Sequence, residues 1–176
     1  MAIVAKASGS SFVPCPEGAH AAVCVDVVDL GMLKVSFGGK DKTQHKIRIV
    51  WQIADVMPNN KPYVAQKRYT LSLHEKAALR KDLESWRGRA FTEAELQGFD
   101  VESVLAVPCL INVMHQKRDS DTFANVTAVM RLPKGMEAPK ARDYVRVCDR
   151  TPEANGDGDS YGPPPNDFAD LDDVPF

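Results

Sequence analysis

Lysines and arginines cluster at four places between residues 40 and 118, where they could bind a polyanion. The candidates are Lys40, Lys42, Lys46, Arg48, Lys67, Arg68, Lys117 and Arg118. Cations in such a pattern can neutralise the phosphates of a nucleic acid and release its counterions, so binding would weaken steeply with salt. Any single one of these residues is as often an ordinary side chain in contact with solvent as it is a ligand for a polyanion. We therefore base the prediction of a polyanion site on the whole group.

Aromatic side chains near these cations could supply the faces on which nucleic-acid bases stack. Tyr63 and Phe123 lie at predicted strand ends, and Phe37 lies beside a predicted turn. Stacking contributes about 1–3 kcal/mol for each base. Trp51 and Tyr69 are candidates too, but each alternates with aliphatic residues of its own segment. For these two, packing in the core is an equal alternative.

The last seven residues have the chemistry of a docking peptide. They are Asp170, Leu171, Asp172, Asp173, Val174, Pro175 and Phe176. An apolar pocket with a basic rim on another protein could accept the Phe176 ring and the carboxylates together. The alternative is a solvated tail that only adds solubility.

The charge of the chain is divided unevenly between its two parts. The sequence has 22 Lys and Arg and 24 Asp and Glu, and its final 26 residues, 151–176, contain seven of the acids and none of the bases. Residues 1–150 therefore carry a net charge of +5. The composition of residues 151–176 cannot bury enough apolar surface to offset the entropy of ordering them, which predicts a disordered acidic tail. A basic body with an acidic tail is typical of a polyanion binder.

The tip resembles that of a known family. An acidic C-terminus that ends in Pro-Phe, with an apolar residue such as Val174 before it, is similar to the tip of bacterial and phage single-stranded DNA-binding proteins. The resemblance implies a body that coats single-stranded DNA without marked sequence preference. It also implies a tip that recruits replication, recombination and repair proteins, in the cytoplasm of a bacterial host. The stacking tryptophans of the bacterial proteins have no positional match here, and residues 108–113 and 132–135 look more like phage-encoded members.

The elements that would position these residues are mostly strands. Period-two alternation of apolar residues, clearest at 43–53, predicts strands. The predicted strands cover residues 20–37, with a bulge at Gly31, and residues 43–53, 63–73, 105–116 and 122–132. Residues 38–42 and 117–121 are predicted to be turns that carry lysines and an arginine. Residues 144–147 could form a short additional strand.

One helix is predicted between the third and fourth strands. Leu79, Leu83 and Trp86 recur at helical spacing before Gly88, and the spacing of Ser72 and Glu75 fits a capping box, which indicates a helix over about 74–87. Thr92 followed by Glu95 indicates a second, shorter helical turn.

Three strands, a helix and two further strands form the element order of a five-stranded antiparallel OB-fold barrel. We therefore predict a mainly β OB-fold domain over residues 1–150 and a disordered tail over 151–176. An SH3-like barrel is the main alternative, but the helix position argues against it. OB folds bind oligonucleotides across strands two and three and the flanking loops, which is where the basic residues fall.

Motifs for catalysis and metal binding are missing from the sequence. The four cysteines and four histidines show no metal-ligand spacing. The chain has no Gly-rich phosphate loop, nucleophile elbow or H-E-x-x-H motif. We therefore expect no enzyme activity, no cofactor and no metal.

The remaining expectations concern location and rival functions. Without a signal-peptide pattern or an apolar stretch of about 18 residues, the sequence predicts an intracellular protein that does not enter a membrane. A protein-interaction adaptor of the replication machinery and an RNA-binding OB-fold protein stay open as alternative functions. The sequence also leaves open whether the chain forms a homo-oligomer.

Overall fold

Alternation of apolar and polar residues produces a mainly β structure in the computed structural model, which describes residues 13–119 and 121–150. The five strands are β1 (Gly18–Phe37), β2 (Lys40–Val56), β3 (Pro62–Thr70), β4 (Pro108–Arg118) and β5 (Asp121–Met130). The helices are α1 (Ala78–Arg87) and α2 (Glu93–Leu96), with 3-10 turns at Val101–Val104 and Val147–Asp149. The predicted disordered tail and its partner-binding tip lie outside the described residues.

All five strands belong to one antiparallel sheet in the order β3-β2-β1-β4-β5. The prediction of a mainly β, five-stranded antiparallel structure is confirmed. β1 is the central strand because its first part pairs with β4 and nearly its whole length pairs with β2. The outer strands β3 and β5 contact each other, but no ladder joins them within the described residues, so the sheet is not closed by hydrogen bonds.

β1 is long and bulged, as predicted. Its pairing with β2 shifts register between Cys24 and Asp26 and again between Asp29 and Gly31. Gly31 adopts a positive φ of 70°, and its N–H donates to the Asp29 carboxylate. Each extra residue bends the strand and increases its twist, which helps a sheet to curl around a core.

The two hairpins are tighter than the sequence indicated. Gly38 and Gly39, both with positive φ, form a two-residue turn between β1 and β2. Lys40 and Lys42 therefore belong to β2 and not to a loop, which corrects the predicted turn. In the same way, Lys117 and Arg118 are the last residues of β4.

The main core lies between the inner face of the sheet and α1. Ile47, Ile49, Trp51 and Ile53 of β2 are buried there together with Leu79, Leu83 and Trp86 of α1. The Trp51 and Trp86 rings lie 6.1 Å apart, and Trp86 Nε1 donates to the Pro108 carbonyl. Both tryptophans of the sequence therefore take part in the contact between the helix and the sheet.

The helix ends show one error and one success of the sequence rules. α1 begins at Ala78 and not near residue 74, because the Ser72 hydroxyl accepts from the His74 N–H and forms no capping box. It ends at Arg87, directly before Gly88, as predicted, and Gly88 caps it in the left-handed conformation. The predicted turn after Thr92 is confirmed as α2, and its capping box with Glu95 is complete.

An irregular segment, residues 142–147, replaces the additional strand considered for 144–147. We call these residues the strap. The strap is not a strand because its polar groups bond to side chains of β1 and β2 and not to a neighbouring backbone: Gln52 exchanges two hydrogen bonds of 2.8 Å with the Arg142 main chain. The strap therefore covers part of the outer face of the sheet. Within the described residues, no helix has the length and apolar character needed to cross a membrane.

Candidate nucleic-acid interface

A row of cations follows the outer face of β2. The odd-numbered residues from Ile47 to Ile53 are buried in the main core, so the even-numbered residues face away from it. With one cation of β3, these outward residues form what we call the basic stripe: Lys40, Lys42, Lys46, Arg48 and Arg68. At about 3.4 Å per residue, the β2 part of the stripe extends over about 27 Å. Five of the eight predicted cations are thus brought onto one surface.

Arg48 and Arg68 form the centre of the stripe. They are directly opposite each other in the β2–β3 ladder, and both are half-buried. The Nε atoms of both side chains are buried without a hydrogen-bond partner. Burial, and then the charge of Arg48, lowers the pKa of the Arg68 guanidinium. Within the described residues, no carboxylate pairs with either side chain, so the site holds two repelling cations that an anion would stabilise.

Lys46 differs from the exposed residue that the sequence predicted. Its side chain is only 6% exposed, and its Nζ atom donates to the Thr70 hydroxyl at 2.8 Å. The Thr70 hydroxyl in turn donates to the Gln44 side chain. Lys46 therefore adds a fixed positive charge beside the arginine pair, because packing and Thr70 hold its ammonium group in place.

Lys67 does not belong to the stripe, which corrects its assignment as a DNA-binding residue. Its side chain lies on the opposite side of β3 from Arg68, where Nζ contacts the Asp82 carboxylate of α1 at 2.7 Å. The Tyr69 hydroxyl donates to the same carboxylate oxygen, and the Lys67 ammonium lies 5.1 Å from the Tyr69 ring centre. Lys67 thus connects β3 to α1.

Two of the predicted stacking residues are inaccessible. Trp51 is 0% exposed and Tyr69 is 2% exposed, so neither ring can stack on a base in this structure. Both predictions are wrong, since each ring fills the core between the sheet and α1. Tyr63 is partly buried and packs against the same core, which leaves only part of its ring accessible. Phe123 is half-buried and lies opposite Gln116 in the β4–β5 ladder.

The β4–β5 hairpin is not joined to the basic stripe along the sheet. Lys117 and Arg118 are exposed. The first residue of β1, Gly18, pairs with Val113 of β4, so the later residues of β4, including Lys117 and Arg118, extend past the start of β1. Lys40, by contrast, pairs with Phe37 at the other end of β1. The two groups of cations therefore lie beside opposite ends of the central strand.

Sequence analysis missed the role of the strap, which ends the stripe beside Arg48. Asp26, 1% exposed on β1, accepts hydrogen bonds from the Tyr144 hydroxyl, Arg146 Nε and the Val147 N–H. Burial, then the charge of Asp26, raises the pKa of Tyr144 to about 12, whereas Arg48 acts in the opposite direction. Arg146 thus neutralises the negative charge of Asp26 on this face. The only sequence signal was the Tyr144–Arg146 alternation, which indicated a strand instead.

The stripe presents ammonium and guanidinium groups along one face of β2 and β3. Guanidinium and ammonium groups bind phosphate oxygens through charge-assisted hydrogen bonds, whatever the base sequence. No protein-family model matches the chain, and no curated protein matches it significantly. Its function must therefore be inferred from the arrangement of these side chains.

Proposed function

We propose that the chain is a single-stranded DNA-binding protein whose body holds the strand along the basic stripe. The observation that supports this most directly is the Arg48–Arg68 pair. Two opposed guanidinium groups with buried, unbonded Nε atoms are unfavourable in the free protein and become favourable when a phosphate lies between them. Because the stripe contacts phosphates and not base edges, binding would have little sequence preference.

The body is, within this proposal, an OB-type barrel. Three features support it: the long bulged β1 shared by two ladders, the helices between β3 and β4, and the approach of β3 to β5. An OB fold is a partly open five-stranded barrel that binds oligonucleotides on the face of strands two and three. The stripe occupies that face of β2 and β3 here.

The acidic tip, residues 170–176, completes the proposed function. It recruits replication, recombination or repair proteins, since its apolar residues and carboxylates suit an apolar pocket with a basic rim. Removing the tip should abolish capture of such partners and leave binding of single-stranded DNA intact or tighter. If truncated and full-length chains capture partners equally, the tip has no recruiting role.

Fluorescence anisotropy with labelled oligo-dT tests the DNA-binding part. The triple variant Lys40→Gln, Lys42→Gln, Arg48→Gln should lose most of the affinity at low salt, because three phosphate contacts disappear. The control Lys76→Gln, Lys81→Gln, Lys134→Gln removes the same charge from exposed positions elsewhere and should bind like the original chain. If both variants lose affinity for oligo-dT equally, binding depends only on the net charge of the protein, which contradicts the proposed role of the stripe.

RNA of matched sequence serves as a competitor in the same assay. Stronger binding of RNA would favour the RNA-binding alternative, because only RNA offers a 2′-hydroxyl. If oligo-dT does not bind even at low salt, the adaptor alternative is favoured and the proposed function fails.

A further inference from the structure

A pocket opens near the end of β2 and is lined in part by the first residue of the strap, Arg142. Its volume is about 420 Å³, which is within the usual range of ligand pockets, about 300–1,000 Å³. Val56 and Pro62, which pair where β2 ends and β3 begins, line it together with Pro139. These side chains provide apolar walls against which a flat ring can pack.

Two cations lie at this pocket. Lys140 and Arg142 are exposed and line it, together with a single acid, Glu137. Within the described residues, neither Lys140 nor Arg142 makes an ion pair. The Arg142 backbone is fixed by its two hydrogen bonds to Gln52, so the guanidinium extends from an anchored position. The pocket therefore combines apolar walls with positive charge, the combination that a base with its phosphate requires.

Along β2, the strap lies between the stripe and the pocket, because Tyr144 packs on the cluster that contains Val50 and the Arg142 main chain bonds to Gln52. Along β2, Arg48 is followed by the buried residues Val50 and Gln52, and then by the pocket residues Ala54 and Val56. Tyr144 packs over Val50, and its neighbour Val145 is 56% exposed on the strap. A strand that follows the stripe to Arg48 therefore meets the exposed surface of the strap and, beyond it, the pocket.

We propose that this pocket is a second nucleotide subsite for the same DNA strand. The strand crosses the strap, one base packs against Val56, Pro62 and Pro139, and the adjoining phosphates contact Lys140 and Arg142. This inference rests on the proposed function, because it extends the path of the strand from the stripe. It predicts that these residues contribute only to the binding of oligonucleotides long enough to reach past the strap.

Two lengths of labelled oligo-dT test the subsite on the full chain. The short oligonucleotide has about 4 nucleotides and the long one about 16, which are the limits of the site sizes of OB folds. The variant Lys140→Gln, Arg142→Gln should weaken binding of the long oligonucleotide about tenfold and reduce its salt slope by about 1.4, the value for two phosphate contacts. Binding of the short oligonucleotide should be unchanged. The control Lys76→Gln, Lys81→Gln removes the same charge from exposed positions away from the pocket and should leave both lengths unaffected.

Several outcomes would overturn the subsite. An equal effect of Lys140→Gln, Arg142→Gln on both lengths, no effect on the long oligonucleotide, or the same effect in the control would each do so. If the effect disappears once residues 170–176 are removed, the pocket holds the acidic tip instead of DNA. If neither oligonucleotide binds the original chain, the proposed function itself fails. Thermal unfolding of each variant, followed by circular dichroism, verifies that the fold is retained.

Discussion

Replacing Arg68 by glutamine should stabilise the protein slightly and weaken its binding of single-stranded DNA at the same time. Arg48 and Arg68 are opposite residues of neighbouring strands, and their Nε atoms are buried without partners. Like charges at opposite positions of a sheet destabilise it. Arg68→Gln removes this repulsion together with half of the proposed phosphate clamp, so stability and affinity should change in opposite directions.

The size of the stability change follows from the geometry. Two guanidinium charges held at the separation of Cβ atoms in opposite pairs, about 5 Å, would repel by about 3 kcal/mol at an effective dielectric constant of about 20 and by about 0.8 kcal/mol in water. Both guanidinium groups are partly exposed, and solvent screening reduces the net gain to about 0.5 kcal/mol. For a chain of this size, that gain raises the Tm by about 1–2 °C. Arg48→Gln should give a similar gain, and the double variant should gain less than the sum.

The effect on affinity has the opposite sign and is larger. Losing one charge-assisted hydrogen bond to a phosphate costs about 1.5 kcal/mol, which is about tenfold in Kd. Thermal unfolding by circular dichroism and anisotropy with labelled oligo-dT measure the two effects on the same samples. Lys81→Gln on α1 removes an equal charge at an exposed position and serves as the control. A lower Tm combined with an unchanged Kd in Arg68→Gln would refute the reasoning, since the pair would then be structural.

Three further predictions concern the strap, α2 and the cysteines. Asp26→Ala should cost about 2–4 kcal/mol in urea unfolding, because three donors lose a buried acceptor. It should also speed proteolysis within residues 140–150, whereas Asp55→Ala, at an exposed position, should do neither. Glu95 accepts hydrogen bonds from the Thr92 N–H and from Arg89 and Arg87, which lowers its pKa from 4.5 to about 2. Its contribution to the stability of the fold is therefore complete above pH 4.5 and is lost as the pH falls towards 2. Glu95→Gln should therefore flatten the fall of Tm across that window, and an unchanged fall would contradict this. Burial raises the pKa of Cys15 and Cys24 to about 12 and also raises that of Cys109, so a thiol reagent should modify exposed Cys148 quickly and the other three only after unfolding.

The strands and their faces could be predicted because alternation records burial directly. In β2, each apolar odd-numbered residue from Ile47 to Ile53 is in the core, as its position in the pattern indicated. The same rule explains why Trp51 and Tyr69 were ambiguous. A large ring at an inward position fills the core. The position of an aromatic residue in the alternation therefore decides its role more than its ability to stack on a base does. Because both tryptophans are buried, a label on the oligonucleotide is a better probe of binding than their emission.

Residues whose positions depend on distant parts of the chain could not be predicted. Lys67 turns towards Asp82 on α1, and Lys46 is held by Thr70 of the neighbouring strand. The strap is the clearest case, because Asp26 and its three donors are separated by more than a hundred residues. No local pattern around Tyr144 indicates that a buried carboxylate lies opposite. Hairpin turns were placed too broadly, since two glycines with positive φ suffice for the first turn.

The most direct test of the central claim is the salt dependence of oligo-dT binding to the full chain. If the four cations of the basic stripe other than the buried Lys46 each contact one phosphate, log Kobs should fall with log salt concentration with a slope of about −2.8. In the variant Arg48→Gln, Arg68→Gln, that slope should become shallower by about 1.4. No binding at low salt, or a slope that this variant leaves unchanged, would contradict the proposed role of the stripe.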